Sequence, residues 1–261
     1  MNMKTSNRTT VTLTGSLIMA AILLTLPGRA AANGTDILHF MVIEAMTNNG
    51  VEVDAGGVIA ASQVKQGNAN NQKLTIAVTG LATNAPYELV AAIDNDTNLT
   101  DITSFETDSH GDATLDYTSL GNGHGGGHHA IPLPASLNPV SLVRGVAIFN
   151  GSTQLVLSAD ISAPDKLDYL IKRDLSSGGV KAGLMIQANT THTHFQLLAT
   201  GLKPSSPYLL AFNGDVVQTN STTAKGRLDI HSLEETPPLI LDLRSVELLD
   251  GTNVVLHTSL P

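Results

Sequence analysis

The chain of 261 residues has no cysteine and no tryptophan. Without thiols there are no disulfides, no thiol nucleophile, no iron–sulfur cluster, no Cys-ligated zinc and no lipid-modified N-terminal cysteine. Aromatic residues are scarce, 4 Tyr and 5 Phe. Tyr87 and Tyr208 belong to a turn motif, and Phe40, Phe149, Phe195 and Phe212 fall in apolar strand patterns, so little is left to stack on sugars or bases. Cations are also short: 14 Lys+Arg face 23 Asp+Glu, a net charge of −9. Nucleic acids and anionic membranes need a surplus of Lys and Arg to displace counterions, so the balance argues against both as partners. The Gly-x-Ser-x-Gly elbow, the Walker loop and His-Glu-x-x-His are missing from the sequence, and the glycines from Gly123 to Gly127 do not open a helix as a dinucleotide-binding fingerprint requires. A non-enzymatic protein is therefore expected.

What is present begins with an export signal. Lys4 and Arg8 precede an apolar run at 17–26, then Pro27-Gly28 and the small residues Ala30-Ala31-Ala32. Cleavage is expected after Ala32. The run is about half the roughly 20 residues that span a bilayer, so no membrane insertion is expected after cleavage. Lys4, Arg8 and Arg29 leave with the segment, and the remainder has 11 basic against 23 acidic residues, a net −12. The mature protein, 42% apolar over the whole chain, is expected to be secreted or periplasmic, and packing alone must hold it together.

Self-similarity organises the rest. Thr79-Gly80-Leu81 with Pro86-Tyr87 recurs as Thr200-Gly201-Leu202 with Pro207-Tyr208, displaced by 121 (79 to 200). Leu115-Asp116 with Ser119-Leu120 recurs as Leu228-Asp229 with Ser232-Leu233, displaced by 113 (115 to 228). Arg144, Val146 and Gly151 recur as Arg244, Val246 and Gly251, displaced by 100 (144 to 244). Two domains related by duplication follow, residues 33–163 and 164–261, joined at Ser162-Ala163-Pro164-Asp165.

Within each unit apolar residues alternate at period two, as at Leu74, Ile76 and Val78, which marks half-buried strands. Asn48-Asn49-Gly50, Asn150-Gly151 and Asp250-Gly251 supply turns that tolerate positive φ. The best helical stretch, 163–175, has charges on every face and aligns with a strand of the first copy, so it is read as strand. The fold class expected is all-β, two tandem antiparallel β-sandwiches.

Gly201-Leu202-Lys203-Pro204-Ser205-Ser206-Pro207-Tyr208 resembles the tyrosine corner of fibronectin type III and immunoglobulin-like sandwiches. That resemblance implies a Tyr hydroxyl returned to the backbone a few residues upstream. Leu81 and Tyr87 keep the spacing, with Thr83 in place of the Pro. More strands follow the corner here than in that family, and the core Trp is missing. The resemblance covers about ten residues per copy and implies a sandwich without implying a ligand.

The shrinking displacement locates extra residues in the first copy, six between Tyr87 and Gly111 and thirteen between Leu120 and Arg144. The longer insertion includes Gly123-His124-Gly125-Gly126-Gly127-His128-His129. Imidazoles suit Zn or Cu, and glycines let a loop fold back on itself, so His124, His128 and His129 are candidate metal ligands against a bland flexible loop. His192 and His194 are weighed as further ligands against a polar turn. The shorter insertion creates Asp94-Asn95-Asp96-Thr97-Asn98-Leu99-Thr100-Asp101, a hard-oxygen cluster. Asp94, Asp96, Asn98 and Asp101 are candidate Ca ligands. The start resembles an EF-hand loop, but Leu99 stands where that loop needs Gly and Glu106 lies one place past the last ligand. The alternative is a solvated acidic hairpin tip.

Asn-x-Ser/Thr acceptors begin at Asn33, Asn95, Asn98, Asn150, Asn189 and Asn220. The leading expectation is a binding, adhesion or structural module whose partner is an unidentified protein or cell-surface component. A metal-binding protein is the competing one.

Overall fold

Strand-forming alternation carries through nearly the whole chain. A computed structural model describes residues 36–94, 98–120, 130–151, 153–231, 233 and 240–261, built of strands and short 3-10 turns with no α-helix among the described residues. The expected export segment 1–32, Asp96, His124, His128 and His129 lie outside the described residues.

The first half contributes β1 (Ile37–Asn48), β2 (Gly56–Gln66), β3 (Ala69–Thr79), β4 (Pro86–Ile93), β5 (Leu99–Glu106), β6 (Ala113–Thr118), β7 (Ile131–Pro132), β8 (Val143–Asn150) and β9 (Gln154–Asp160). The second contributes β10 (Lys166–Ser177), β11 (Val180–Asn189), β12 (Thr193–Thr200), β13 (Pro207–Phe212), β14 (Asp215–Ser221), β15 (Leu228–Ile230), β16 (Ser245–Asp250) and β17 (Asn253–Ser259). The stretch read as strand at 163–175 is β10: Tyr169 and Ile171 are buried while Lys172 and Asp174 face out.

Two sheets result. The larger runs β15-β12-β11-β10-β1-β2-β3-β6-β7 and also takes in β5-β4-β8-β9, because the last residues of β1, Thr47 and Asn48, pair with β9. It is curled into half a barrel. The smaller sheet is β14-β13-β16-β17. Pairing is antiparallel except for the short parallel match of β6 with β7. Strand order in the first half, β1-β2-β3-β6 and β5-β4-β8-β9, is repeated in the second as β10-β11-β12-β15 and β14-β13-β16-β17. Irregularities recur as well: register shifts fall at Leu89/Val90 and Leu210/Ala211, and at Ile148/Phe149 and Leu248/Leu249.

The halves meet strand against strand. Ile37–Ile43 of β1 pairs antiparallel with Lys172–Lys166 of β10, one pair at every residue. Across this seam the rings of Phe40 and Tyr169 meet edge to face, centroids 6.5 Å apart. Buried apolar side chains from both halves form a single cluster, and Gly34–Pro261 is one compact unit. In the second half Phe195 of the larger sheet meets Phe212 of the smaller, centroids 5.3 Å apart. In the first half Tyr87 stacks on Phe105 at 5.7 Å. Such ring pairs add to the area their burial removes from water.

Candidate functional site

Each half has a turn that ties β3 to β4, or β12 to β13. The Tyr87 hydroxyl accepts from Ala82 N–H at 2.9 Å, and the Tyr208 hydroxyl accepts from Lys203 N–H at 3.0 Å. A threonine completes each turn: Thr107 donates to Ala82 O and Thr222 to Lys203 O, both at 2.6 Å. Ala85 N–H and Ser206 N–H donate back to those hydroxyls at 3.1 and 3.0 Å. Gly111 and Gly226 sit at φ +81° and +68°, where a Cβ would stand 2.0 Å from Leu81 O and 2.1 Å from Leu202 O. Only glycine allows that backbone approach. Side-chain support around the corners differs. Glu52 accepts from the Tyr87 hydroxyl at 2.6 Å and from Asn150 Nδ2 at 3.1 Å, whereas Lys203 pairs with Asp250 at 2.5 Å. Burial, then the Glu52 hydrogen bond, pushes the Tyr87 phenol up to about 12.

The recurrent arginines converge at the junction of the halves. Arg144 is buried, and its guanidinium donates to Ser141 O, Val143 O and Leu241 O at 2.8, 3.2 and 2.6 Å. Arg244 donates to the same Leu241 carbonyl at 2.5 Å and to Asp94 Oδ1 through Nε at 2.9 Å and through Nη2. Burial, then the nearby Arg244 charge, lowers the Arg144 pKa from its ordinary value. Arginine keeps its proton regardless.

Asp94, first residue of the expected calcium cluster, thus has its carboxylate on Arg244; its N–H donates to Leu142 O at 2.6 Å, and its φ is +51°. Asn98 lies in the bend before β5, and Asp101 is exposed on β5 opposite Val90. His192 occupies a turn held by Asn189, with its Nδ1 2.7 Å from Thr191 Oγ1, and His194 is exposed on β12. His110 is exposed on the turn with Asp108 and Asp112. There the Asp108 carboxylate accepts from Asp112 and His110 N–H groups, which hold it below the usual carboxylate range. Among the described residues no three His, Asp or Glu come together as a metal cluster.

Sequence reasoning missed a buried amide network. Gln63 and Gln72, opposite each other on β2 and β3, are each 3% exposed. Gln63 Nε2 donates to Asn70 Oδ1 at 2.9 Å. Gln72 Nε2 donates to Asn138 Oδ1 at 2.7 Å, and Gln72 Oε1 accepts from Val140 N–H at 2.8 Å. Gln72 does break the apolar alternation ahead of Leu74, Ile76 and Val78, the one signal available in advance.

No protein-family model matches this chain, and no curated protein or solved structure shows significant similarity to it.

Proposed function

We propose that this is an exported, non-catalytic module made of two copies of one β-sandwich, residues 33–163 and 164–261, fused edge to edge to act as a binding, adhesion or structural element. The observation that carries it is the seam. The first strands of the two halves pair residue for residue from Ile37↔Lys172 to Ile43↔Lys166. Independent domains on a linker would hinge, whereas here the linker itself is tied down. Asp165 N–H donates to Glu44 Oε2 at 2.5 Å, and Asp165 Oδ2 accepts from Ala45 N–H at 3.2 Å. Repeated strand order and repeated corner contacts support the two-copy reading. A rigid body with loops that differ between copies suits presentation of a surface better than turnover of a substrate.

The test uses the full chain expressed with its leader in a bacterium. Export and processing predict a released protein that starts at Asn33, and retention of the intact chain inside the cell refutes export. Calorimetry of that protein should give one transition with equal calorimetric and van't Hoff enthalpies. Two separate transitions would refute the fused body. Titration with Zn²⁺, Cu²⁺ and Ca²⁺ tests the competing role. Saturable binding tighter than about 100 μM, lost on changing His124, His128 and His129 to Ala or Asp96 and Asp101 to Asn, would replace the structural reading. The engagement of Asp94 by Arg244 counts against calcium at the hairpin.

A further inference from the structure

Because β1 and β10 run antiparallel at the seam, the loops that follow them lie at opposite poles of the molecule. One pole gathers residues 49–55, 80–85 and 107–112 of the first half, joined by Ala82 N–H to Glu52 Oε2 at 2.8 Å and Leu81 N–H to Gly111 O at 3.1 Å. The other gathers their counterparts 178–179, 201–206 and 222–227, where Gly201 lies against Gly179 O and Leu202 N–H reaches Gly226 O at 3.2 Å. The scaffold is shared and the charge is opposite. The first set holds Glu52, Asp54, Asp108 and Asp112 with no Lys or Arg, and the second holds Lys203, Lys225 and Arg227 with no Asp or Glu. Lys203 is paired with Asp250 and Arg227 with Asp229, whereas among the described residues Lys225, Asp54 and Asp112 make no ion pair.

The poles also differ in shape. Residues 49–55 join β1 to β2, where the second half turns in two residues, Gly178-Gly179. Asn48 Nδ2 donates to Glu52 O and Ala55 O at 2.7 and 2.8 Å, and the Glu52 carboxylate is held by the Tyr87 hydroxyl. The loop is thus fixed from within, while Val51 and Val53, on either side of Glu52, are 41% and 87% exposed. A loop already ordered loses little entropy on binding. At the opposite pole a groove of about 410 Å³ lies across β10, β11 and β12, lined by Leu175, Ala182, Gly183 and Leu198, with Asp174 and Lys181 as its charged residues. Gly183 opens it, since a Cβ there would meet nothing within 4 Å. The row Asp174-Gly183-Leu198 takes the place of Ala45-Val58-Ala77 in the first half, so the scaffold accepts valine at that position and does not itself require the groove.

We propose that molecules of this chain join head to tail, the Val51 and Val53 loop of one seated in the Gly183 groove of a second copy, with the acidic pole against the pole that carries Lys181 and Lys225. Such a contact joins two different surfaces. It leaves a free groove at one end and a free loop at the other, so molecules add in an open row. The inference deepens the structural role proposed above and rests on its two-copy reading.

Sedimentation velocity of residues 33–261 from about 10 μM to about 1 mM tests it. The weight-average mass should climb past that of a dimer at the top of the range. Val53→Asp and Gly183→Val should each weaken association by about tenfold to a hundredfold, the worth of one buried valine. Both variants keep the fold, because Val53 is exposed and the first half carries Val58 where the second has Gly183. An equimolar mixture of the two has one intact groove and one intact loop, and should assemble to a dimer and stop there. A monomer throughout the range, a dimer that grows no further, a mixture no larger than either variant alone, or growth unchanged by both substitutions overturns the proposal. A monomer that still melts in one calorimetric transition leaves the fused body standing, so the two readings fail separately.

Discussion

Replacing Gly111 or Gly226 by alanine tests whether the two corners are built for one physical reason. An alanine at positive φ costs about 1–2 kcal/mol, offset by roughly 0.4–1 kcal/mol through the lower entropy of the unfolded chain. That is the whole effect where space is open, as at Gly214 (φ +89°) and Gly251 (φ +62°), where a Cβ meets nothing within 4 Å. At Gly111 and Gly226 the Cβ would lie 2.0 Å from Leu81 O and 2.1 Å from Leu202 O, so the backbone must move by about an ångström to restore van der Waals contact. This motion pulls on the Leu81 N–H to Gly111 O and Leu202 N–H to Gly226 O bonds, 3.1 and 3.2 Å long, each worth about 1–3 kcal/mol when a buried partner is orphaned. Gly111→Ala and Gly226→Ala should therefore cost about 3–4 kcal/mol, and Gly214→Ala and Gly251→Ala about 1 kcal/mol or less. Urea titration reads the difference in midpoint at constant slope. A thermal scan should place the corner variants roughly 4–12 °C below the other two. Equal losses at all four positions would refute the argument from close approach, and a large loss at one corner alone would refute the equivalence of the halves.

Thr107→Val and Thr222→Val each remove a hydroxyl that donates to one carbonyl and accepts from one N–H. Each should lose about 1–2 kcal/mol in urea, while Thr103→Val, at a half-buried threonine whose hydroxyl reaches only the neighbouring Ser104 O, loses under about 0.5 kcal/mol. Arg144→Met takes a donor from Ser141 O, Val143 O and Leu241 O, of which Leu241 O keeps Arg244, and should cost about 2–3 kcal/mol, whereas the half-exposed Asp94–Arg244 pair should show a coupling of only about 0.5–1 kcal/mol in a double-mutant cycle. Burial pushes Tyr117 up to about 12, as burial and Glu52 do for Tyr87. Their folded values exceed the unfolded one near 10, so this contribution is intact below pH 10 and is lost as pH climbs toward 12. Phenolate absorbance from these two should appear only with loss of the sheet's circular dichroism. Release of all four phenolates near pH 10 from a folded protein would contradict it.

Much of the architecture was legible because a strand advertises itself locally. Alternation at Leu74, Ile76 and Val78 marks which face is buried, and the Leu-x-x-x-x-x-Tyr spacing fixes a turn whose partners lie within a few residues. The repeat also pointed to Arg144 and Arg244 as corresponding positions. Their partners were invisible, because Leu241 and Asp94 lie 97 and 150 residues away. Asp94 reads in sequence as one oxygen donor among several; folding gives its carboxylate to an arginine of the other half.

The same division separates β1 from its neighbours. Its pattern alone shows that Leu38, Phe40 and Val42 turn inward. Nothing in it distinguishes β10 from any other strand as the partner of its free edge, since main-chain hydrogen bonds are the same for every sequence. Composition and periodicity, being local, settled an all-β chain with recurring turns. Which edges meet, and the opposite poles to which the loops after β1 and β10 are sent, were decided only when segments far apart in the chain were brought together, because burial and pairing depend on neighbours in space.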